Sequence, residues 1–238
     1  LEENTLLYEG KAKRLFKTDD SKILRVEYLD QATALNGVRK DTVAGKADLN
    51  NKITVLIFEQ LKKKGLQNHL IKKISKSEQL VEALEIIPLE VVIRNVSAGS
   101  FAKRLEILEG QQLPFPVLEF YYKDDSLDDP FINDDHVKIL EIASNREIDF
   151  IKKEAHQINL LLIDLFEKIG IRLIDFKIEF GRREDGTILL ADEITPDTCR
   201  LWDKQTNEHL DKDVYRRNLG DIVPVYQDVL ERLERAFY

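Results

Sequence analysis

The sequence predicts an α+β fold, and three observations carry that expectation. Strand-like and helical stretches are mixed without regular β-α-β alternation. Three amphipathic runs with helical spacing stand far apart in the chain, and a long hairpin pattern lies between the last two. At 238 residues the chain is long enough for one large or two small domains with a real core.

The elements follow in order. Thr5 to Tyr8 reads as a strand, with a turn near Gly10 and further strands over Lys11 to Lys17 and Ile23 to Leu29, separated by the polar Asp19-Asp20-Ser21. Residues 30–46 carry turn formers and charges and read as a loop. Leu49, Ile53, Leu56, Ile57 and Leu61 form a helical stripe that predicts a helix to Lys64, stopped by Gly65. Short strands follow at Ile71–Ile74, Leu80–Leu84 and Leu89–Val96. A boundary near Pro88 divides the chain into a β-rich part, residues 1–88, and a larger α+β part, residues 89–238. The second helix is predicted from Arg146 to Lys168, with Ser144 and Glu147 at capping-box spacing and Gly170 as its stop. A strand pair, 171–180 and 187–194, comes next, and a helix from Asp221 to Phe237 with Pro224 in its first turn ends the reading.

Composition narrows the function classes. Hydrophobic residues make up 43% and charged residues 34%, as in ordinary soluble proteins. A net charge of −8 argues against non-specific nucleic-acid or anionic-membrane binding, but not against anionic small molecules held by a local cluster of cations. No stretch has the length of a membrane span, and the opening LEENTLLYEG is too acidic for a signal peptide. A single cysteine, Cys199, forbids an internal disulfide, fits a reducing cytoplasmic setting and reads as an inert buried residue. The four histidines are scattered without zinc-site spacing.

The segment IRLIDFKIEFGRREDGTILLADEITPD carries the clearest chemistry. With Asp185-Gly186 as a two-residue turn centre, Glu184 faces Thr187 and Glu179 faces Asp192. Two carboxylates directly opposite one another repel unless a cation lies between them, and magnesium suits a few carboxylates plus phosphates. Alternation puts Asp175, Lys177 and Glu179 on one face and Phe176, Ile178 and Phe180 on the other. The same pattern suits an amphipathic hairpin with a solvated charged face, and the residues alone leave both readings open.

Cations for phosphate and carboxylate appear elsewhere. In Tyr8-Glu9-Gly10-Lys11-Ala12-Lys13 two lysines share a strand face just after a glycine, without the pattern of a P-loop. Arg94 ends an apolar strand and leads through Ser97-Ala98-Gly99-Ser100 into a helix, an arrangement that suits an anion pocket or simple capping by Ser97 or Ser100. Arg200 suits a substrate carboxylate or neutralisation of Asp197 or Asp203.

Taken in order, YEGKAK (8–13), VIRN (92–95) with Ala98-Gly99-Ser100, Asp129-Pro130, IDFKIEF (174–180), DEITPDTCRLWD (192–203) and LDKD (210–213) resemble the SAICAR synthetase family over nearly the whole chain. Thr198-Cys199 departs from the small residues that family carries there. The resemblance implies a two-lobed fold similar to ATP-grasp and kinase-like nucleotide-binding folds. It also implies a cytoplasmic ligase of purine biosynthesis, homodimeric by analogy with bacterial-type relatives. Its reaction is that of ATP, L-aspartate and CAIR, the carboxylated aminoimidazole nucleotide, giving SAICAR, ADP and phosphate. Carried over, Lys11 and Lys13 contact ATP phosphates, and Glu179 and Asp192 hold Mg2+. Arg94, Ser100, Asp129, Arg200 and Lys212 bind substrate, and Lys177, Asp175 and Asp197 are the catalytic candidates, with Asp175 or Asp197 as base. A kinase-like phosphotransferase and a non-catalytic nucleotide-binding module are the rivals. The absence of HRD- and DFG-type motifs weighs against a protein kinase, and the acidic pair weighs against a module that only binds.

Overall fold

The computed structural model describes residues 5–34 and 37–237. The chain opens with β1 (Leu6–Glu9), β2 (Lys13–Lys17) and β3 (Ile23–Tyr28), continues through β4 (Gln31–Ala34) and β5 (Arg39–Thr42), and enters α1 (Lys46–Lys63). Then come β6 (Leu70–Lys73), β7 (Glu78–Glu82), β8 (Glu85–Ile86), β9 (Leu89–Val96), α2 (Gly99–Leu105), β10 (Gln112–Tyr122) and β11 (Phe131–Ile132). The remainder is α3 (Asp134–Ile139), α4 (Asn145–Lys168), β12 (Ile171–Arg182), β13 (Ile188–Ala191), β14 (Cys199–Asp203), α5 (Asp213–Arg216) and α6 (Ile222–Phe237). Mixed helices and sheets without β-α-β repetition make this the α+β class that the sequence predicts.

Two larger sheets organise the chain. The first has the order β1-β2-β3-β7-β6, and every pairing in it is antiparallel. The second runs β11-β10-β9-β12-β13, with β14 and β8 also paired to β12. Strand β12 is its centre. It pairs β9 over Asp175–Ile178, β14 over Ile171–Phe176 and β13 over Glu179–Arg182. Its inward residues Phe176, Ile178 and Phe180 are buried, as the alternation predicts, and join a core completed by α1, α4 and α6. Leu165 and Phe166 of α4 and Val229, Leu230 and Leu233 of α6 belong to that core, and α6 also packs on α1. None of the described helices is long and apolar enough to cross a membrane.

Local chemistry sets the ends of α4. The Ser144 hydroxyl accepts from the Glu147 N–H at 3.3 Å, and the Glu147 carboxylate accepts from the Ser144 N–H at 2.7 Å. Glu147 also takes a hydrogen bond from Arg182 Nε at 2.5 Å, so the cap fastens α4 to β12. Deeper in the same interface, Asn95 of β9 and Asn159 of α4 exchange amide hydrogen bonds of 2.8 and 2.9 Å, both side chains buried.

The structure departs from the sequence reading in two places and adds a long strand, β10, where no element was read. Residues 30–46 are not a loop: β4 and β5 form an antiparallel hairpin whose inner strand buries Ala32, Thr33 and Ala34, residues too small to give an apolar stripe. β10 contains Pro114 and Pro116, which argue against a strand; its pairing with β9 breaks register between Gln112 and Val117 and so absorbs both. The second departure is the turn after β12. Arg183 N–H bonds Thr187 O at 2.9 Å, leaving a three-residue loop of Glu184-Asp185-Gly186 with Gly186 at φ 83°. The ladder therefore sets Glu179 opposite Ala191, one residue away from the predicted Glu179–Asp192 partnership.

Replacing Ser144 by Ala is expected to lower stability by about 1 kcal/mol, the usual worth of an N-cap hydroxyl. Urea unfolding with an unchanged m-value checks it.

Candidate active site

The site is built on three adjacent strands. Alternation on β9 points Glu90, Val92 and Arg94 to one face, and on β12 it points Asp175 and Lys177 to the same side. Asp175 lies directly across from Arg94 on β9 and from Arg200 on β14. Its Oδ2 accepts from Arg94 Nη1 and from Arg200 Nη1, each at 2.9 Å. Arg94 spends its other donors within the protein. Nε reaches Glu119 at 2.7 Å, and Nη2 reaches Ser100 Oγ at 3.3 Å and Tyr121 OH at 3.2 Å. Arg200 Nε goes to Asp213 at 2.9 Å, which leaves N–H groups free on the guanidinium.

This ladder floors a cavity of about 380 Å3. Of the residues read from the sequence, Lys11, Arg94, Ser100, Asp129, Asp175, Lys177, Asp197, Arg200 and Lys212 line it. A second cavity of about 600 Å3 shares Ala34, Ser100, Arg200 and Arg216 with the first and adds Lys103 and Arg217. Between them, α2 begins at Ala98 with no side-chain cap. Ser97 instead donates to Leu108 O and Ser100 accepts from Arg94, so the capping alternative does not hold for either serine. Gly99 has φ 54°, and the Arg200 guanidinium occupies the space where a Cβ would stand. Only glycine suits both demands.

Lys13, Glu179 and Asp192 fall outside that lining and form a neighbouring cluster. Asp192 leaves β13 with φ 58°, which brings its carboxylate close enough to Glu179 for the two to repel despite the shifted register. Burial, and then Asp192, raise the Glu179 proton affinity. Burial works against ionisation of Asp192 too, but the Lys13, Lys177 and Lys123 ammonium groups together outweigh it and hold the group well below the usual carboxylate range. Lys13 bonds Asp192 and lies 3.0 Å from Glu193, and Lys123 reaches Glu179 at 2.6 Å. Lys177, bonded to Glu90 at 2.6 Å, faces both this cluster and the main cavity. Lys11 lies in the bend before β2, not on the same strand face as Lys13.

Asp197 sits lower in the main cavity. It accepts from Lys46 at 2.5 Å, Asn50 at 3.1 Å and Tyr226 OH at 2.6 Å. Burial opposes its ionisation, and the Lys46 and Lys212 charges overcome that and push its pKa down. Asp129, at φ 43° in the connection from β10 to β11, turns Oδ1 to the Asp124 N–H at 2.9 Å while still lining the cavity. Cys199 is buried, and burial pushes its thiol up, as expected of an inert residue. His209, Asp211 and Asp213 also come together, but Asp211 accepts backbone N–H groups of Leu201 and Asp213, and Asp213 pairs with Arg200 and Arg216.

Several site residues escaped the sequence reading. Glu90 was legible by counting back in twos from Arg94 along β9. Lys46, only 1% exposed, had no signal, because a lysine opening a helix reads as solvated. Lys123 and Glu119 gave none either, their partners lying far away in sequence, and Asp213 was read only as part of the LDKD stretch, without its role beside Arg200.

An α+β chain with a cavity lined by lysines and arginines, cross-braced by buried arginine–carboxylate pairs and flanked by an acidic cluster, has the makings of an enzyme site. Comparison with known proteins gives the family. The family model described as SAICAR synthetase matches residues 6–233. A phosphoribosylaminoimidazole-succinocarboxamide synthase of Listeria innocua is 62% identical over 233 residues, 98% of each chain. The crystal structure of the enzyme of that name from Ehrlichia chaffeensis superposes with a TM-score of 0.95 at 42% identity, covering 97% of this chain and 98% of the other. A SAICAR synthetase solved in complex with ADP gives a TM-score of 0.93 at 46% identity, covering 96% and 97%. The chain belongs to the SAICAR synthetase family.

Asp175→Asn is expected to lower stability by about 3 kcal/mol, the low end for breaking a buried ion pair, because Glu119 and Asp213 stay with the two arginines. Chemical denaturation of the variant at neutral pH measures it.

Proposed function

We propose that this chain is an ATP-dependent ligase that joins L-aspartate to CAIR, giving SAICAR, ADP and phosphate, as a cytoplasmic, homodimeric enzyme of purine biosynthesis. The observation that carries the reading is the pairing of two features. The cavity offers Arg200 and Lys177 to anionic groups, and beside it lies a carboxylate pair embedded among lysines. Near-full-length identity to synthases of that name supports the substrate assignment.

The two sheets support division near residue 88, with the first sheet contained in residues 1–88 and the nucleotide held between the two parts. Lys11 and Lys13 lie at the start of that first sheet and contact ATP phosphates. Glu179 and Asp192 are suited to Mg2+: both are acceptor-only when ionised, and their mutual repulsion is relieved by a cation. Magnesium, when bound there, supplies positive charge to the phosphates. The protein groups do the rest. Lys13 and Lys123, now bonded to the acidic pair, are placed to turn to phosphate oxygens. Lys177 faces both clusters and steadies the group in transit between nucleotide and CAIR. Arg200 and Ser100, fixed by the ladder, hold the anionic groups of CAIR and aspartate, with Asp129 at the rim.

A carboxylate is a poor electrophile. The CAIR carboxylate oxygen therefore attacks the γ-phosphorus, ADP departs, and an acyl phosphate results. The aspartate amine then attacks the acyl carbon, forming the amide C–N bond while phosphate leaves. No protein nucleophile is needed; positioning of three substrates and preorganised charge carry the rate.

With CAIR and ATP supplied, ADP release is expected to depend on aspartate and to match SAICAR formation. A stable phosphorylated product without aspartate identifies a kinase instead. Glu179→Gln and Asp192→Asn are each expected to cut magnesium-dependent turnover about 100-fold or more while circular dichroism stays unchanged, on the scale of losing one electrostatic stabiliser. Near-normal rates in both variants remove the metal assignment.

A further inference from the structure

The aspartate ammonium must lose a proton before its nitrogen can attack, and the cavity walls narrow the choice of acceptor. Asp175 accepts hydrogen bonds from two guanidinium groups on one oxygen. Asp197 is held by Lys46, Asn50 and Tyr226 and its pKa is depressed. Asp197, fixed by so many donors, has little affinity for another proton, while the Asp175 oxygen is already shared by both arginines. Lys177 is bonded to Glu90, and although burial alone lowers its pKa, Glu90 and Glu179 raise it overall.

Lys212 is different. Its backbone is anchored, with the N–H on Pro196 O at 2.9 Å just before α5, and its side chain lines the cavity. Among the described residues its ammonium has no ion pair within 4.0 Å and no hydrogen bond, whereas Lys177, Arg94 and Arg200 along the same wall are all paired. The charged groups that act on it are Lys46 from α1, Glu193 and Asp197 from the connection after β13, and Arg216 from α5. Burial, joined by the like charges of Arg216 and Lys46, brings it down to about 8 against the pull of Asp197. A neutral amine is thus accessible near physiological pH, where a general base works best.

We infer that Lys212 is the general base that accepts the proton of the aspartate ammonium, an inference that rests on the ligase reading above. The proton passes from nitrogen to Lys212 Nζ. The freed lone pair makes the C–N bond, the bond from the acyl carbon to the phosphoryl-bearing oxygen breaks with its electron pair going to phosphate, and the departing phosphate takes the second nitrogen-bound proton, leaving the amide N–H.

The test compares Lys212→Arg and Lys212→Ala with the wild type, using aspartate and, separately, hydroxylamine as nucleophile. Hydroxylamine is neutral at pH 7 and needs no base to expose its lone pair. Aspartate-dependent kcat is expected to fall about 10²–10⁴-fold in both variants, the usual worth of a general base. Hydroxylamine-dependent ADP release is expected to fall far less than aspartate turnover in both variants, and the inflection of kcat/KM near pH 8 to be lost in Lys212→Arg, leaving only the rise set by the aspartate ammonium itself. Added ethylamine should restore aspartate turnover to Lys212→Ala. A Lys212→Arg enzyme with wild-type aspartate turnover, equal losses with both nucleophiles, or no rescue by ethylamine overturns the inference. A wild type that couples aspartate but releases no ADP with hydroxylamine overturns the acyl-phosphate step instead, and ethylamine rescue then decides Lys212 by itself.

Discussion

Everything in the cavity is referenced to one carboxylate. Asp175 sits in the central strand of the larger sheet, in register with an arginine on each neighbour, and its Oδ2 accepts from both. Burying two guanidinium groups is costly unless each meets an opposite charge with good geometry. Asp175 offsets part of that cost for both, and Glu119 and Asp213 complete it from the outer sides. Because strand pairing fixes the backbone of all three central residues, the cations cannot drift apart or collapse. The preorganisation that phosphate and carboxylate chemistry needs is thereby written into sheet register.

The surrounding charges divide into those already satisfied and those awaiting a partner. Arg94 is 4% exposed and engages four protein groups, so it braces the strands against α2 while still lining the cavity. Arg200 keeps spare donors and a small opening to the cavity. Lys13 and Lys123 are bonded to the two carboxylates that are the candidates for holding a cation, and Lys177 to Glu90. Exchanging one set of ion partners for another costs less than assembling charges from water, since the desolvation has been met during folding.

How much of this could be read from the amino acids follows from which interactions are local. The capping box at Ser144, the stripes of α1 and α6, and the alternation of β12 are local patterns, and the structure reproduces them. The turn after β12 is local too, yet the expected two-residue form gave way to a three-residue loop with glycine left-handed, and every partner moved by one. The two carboxylates still approach each other only because Asp192 departs from strand geometry, and no spacing rule reports a left-handed aspartate. The individual cavity residues were found by family motif. Their division into braces and free groups was invisible, since it depends on Glu119, Asp213 and Lys46, which arrive from other strands and helices.

The bond from Tyr226 to Asp197 ties the cavity floor to α6, the last element of the chain, while α1, which supplies Lys46 and Asn50 to the same aspartate, packs against that helix. During synthesis the two sheets emerge first, and the C-terminal segment follows. Until it docks, Asp197 lacks its tyrosine and α1 has bare apolar surface where α6 will lie. Competence therefore arrives late: a nascent polypeptide possesses most of the cavity walls before Asp197 has all its partners, and a truncated product lacking the final helix forfeits the tyrosine bond and the cover on α1.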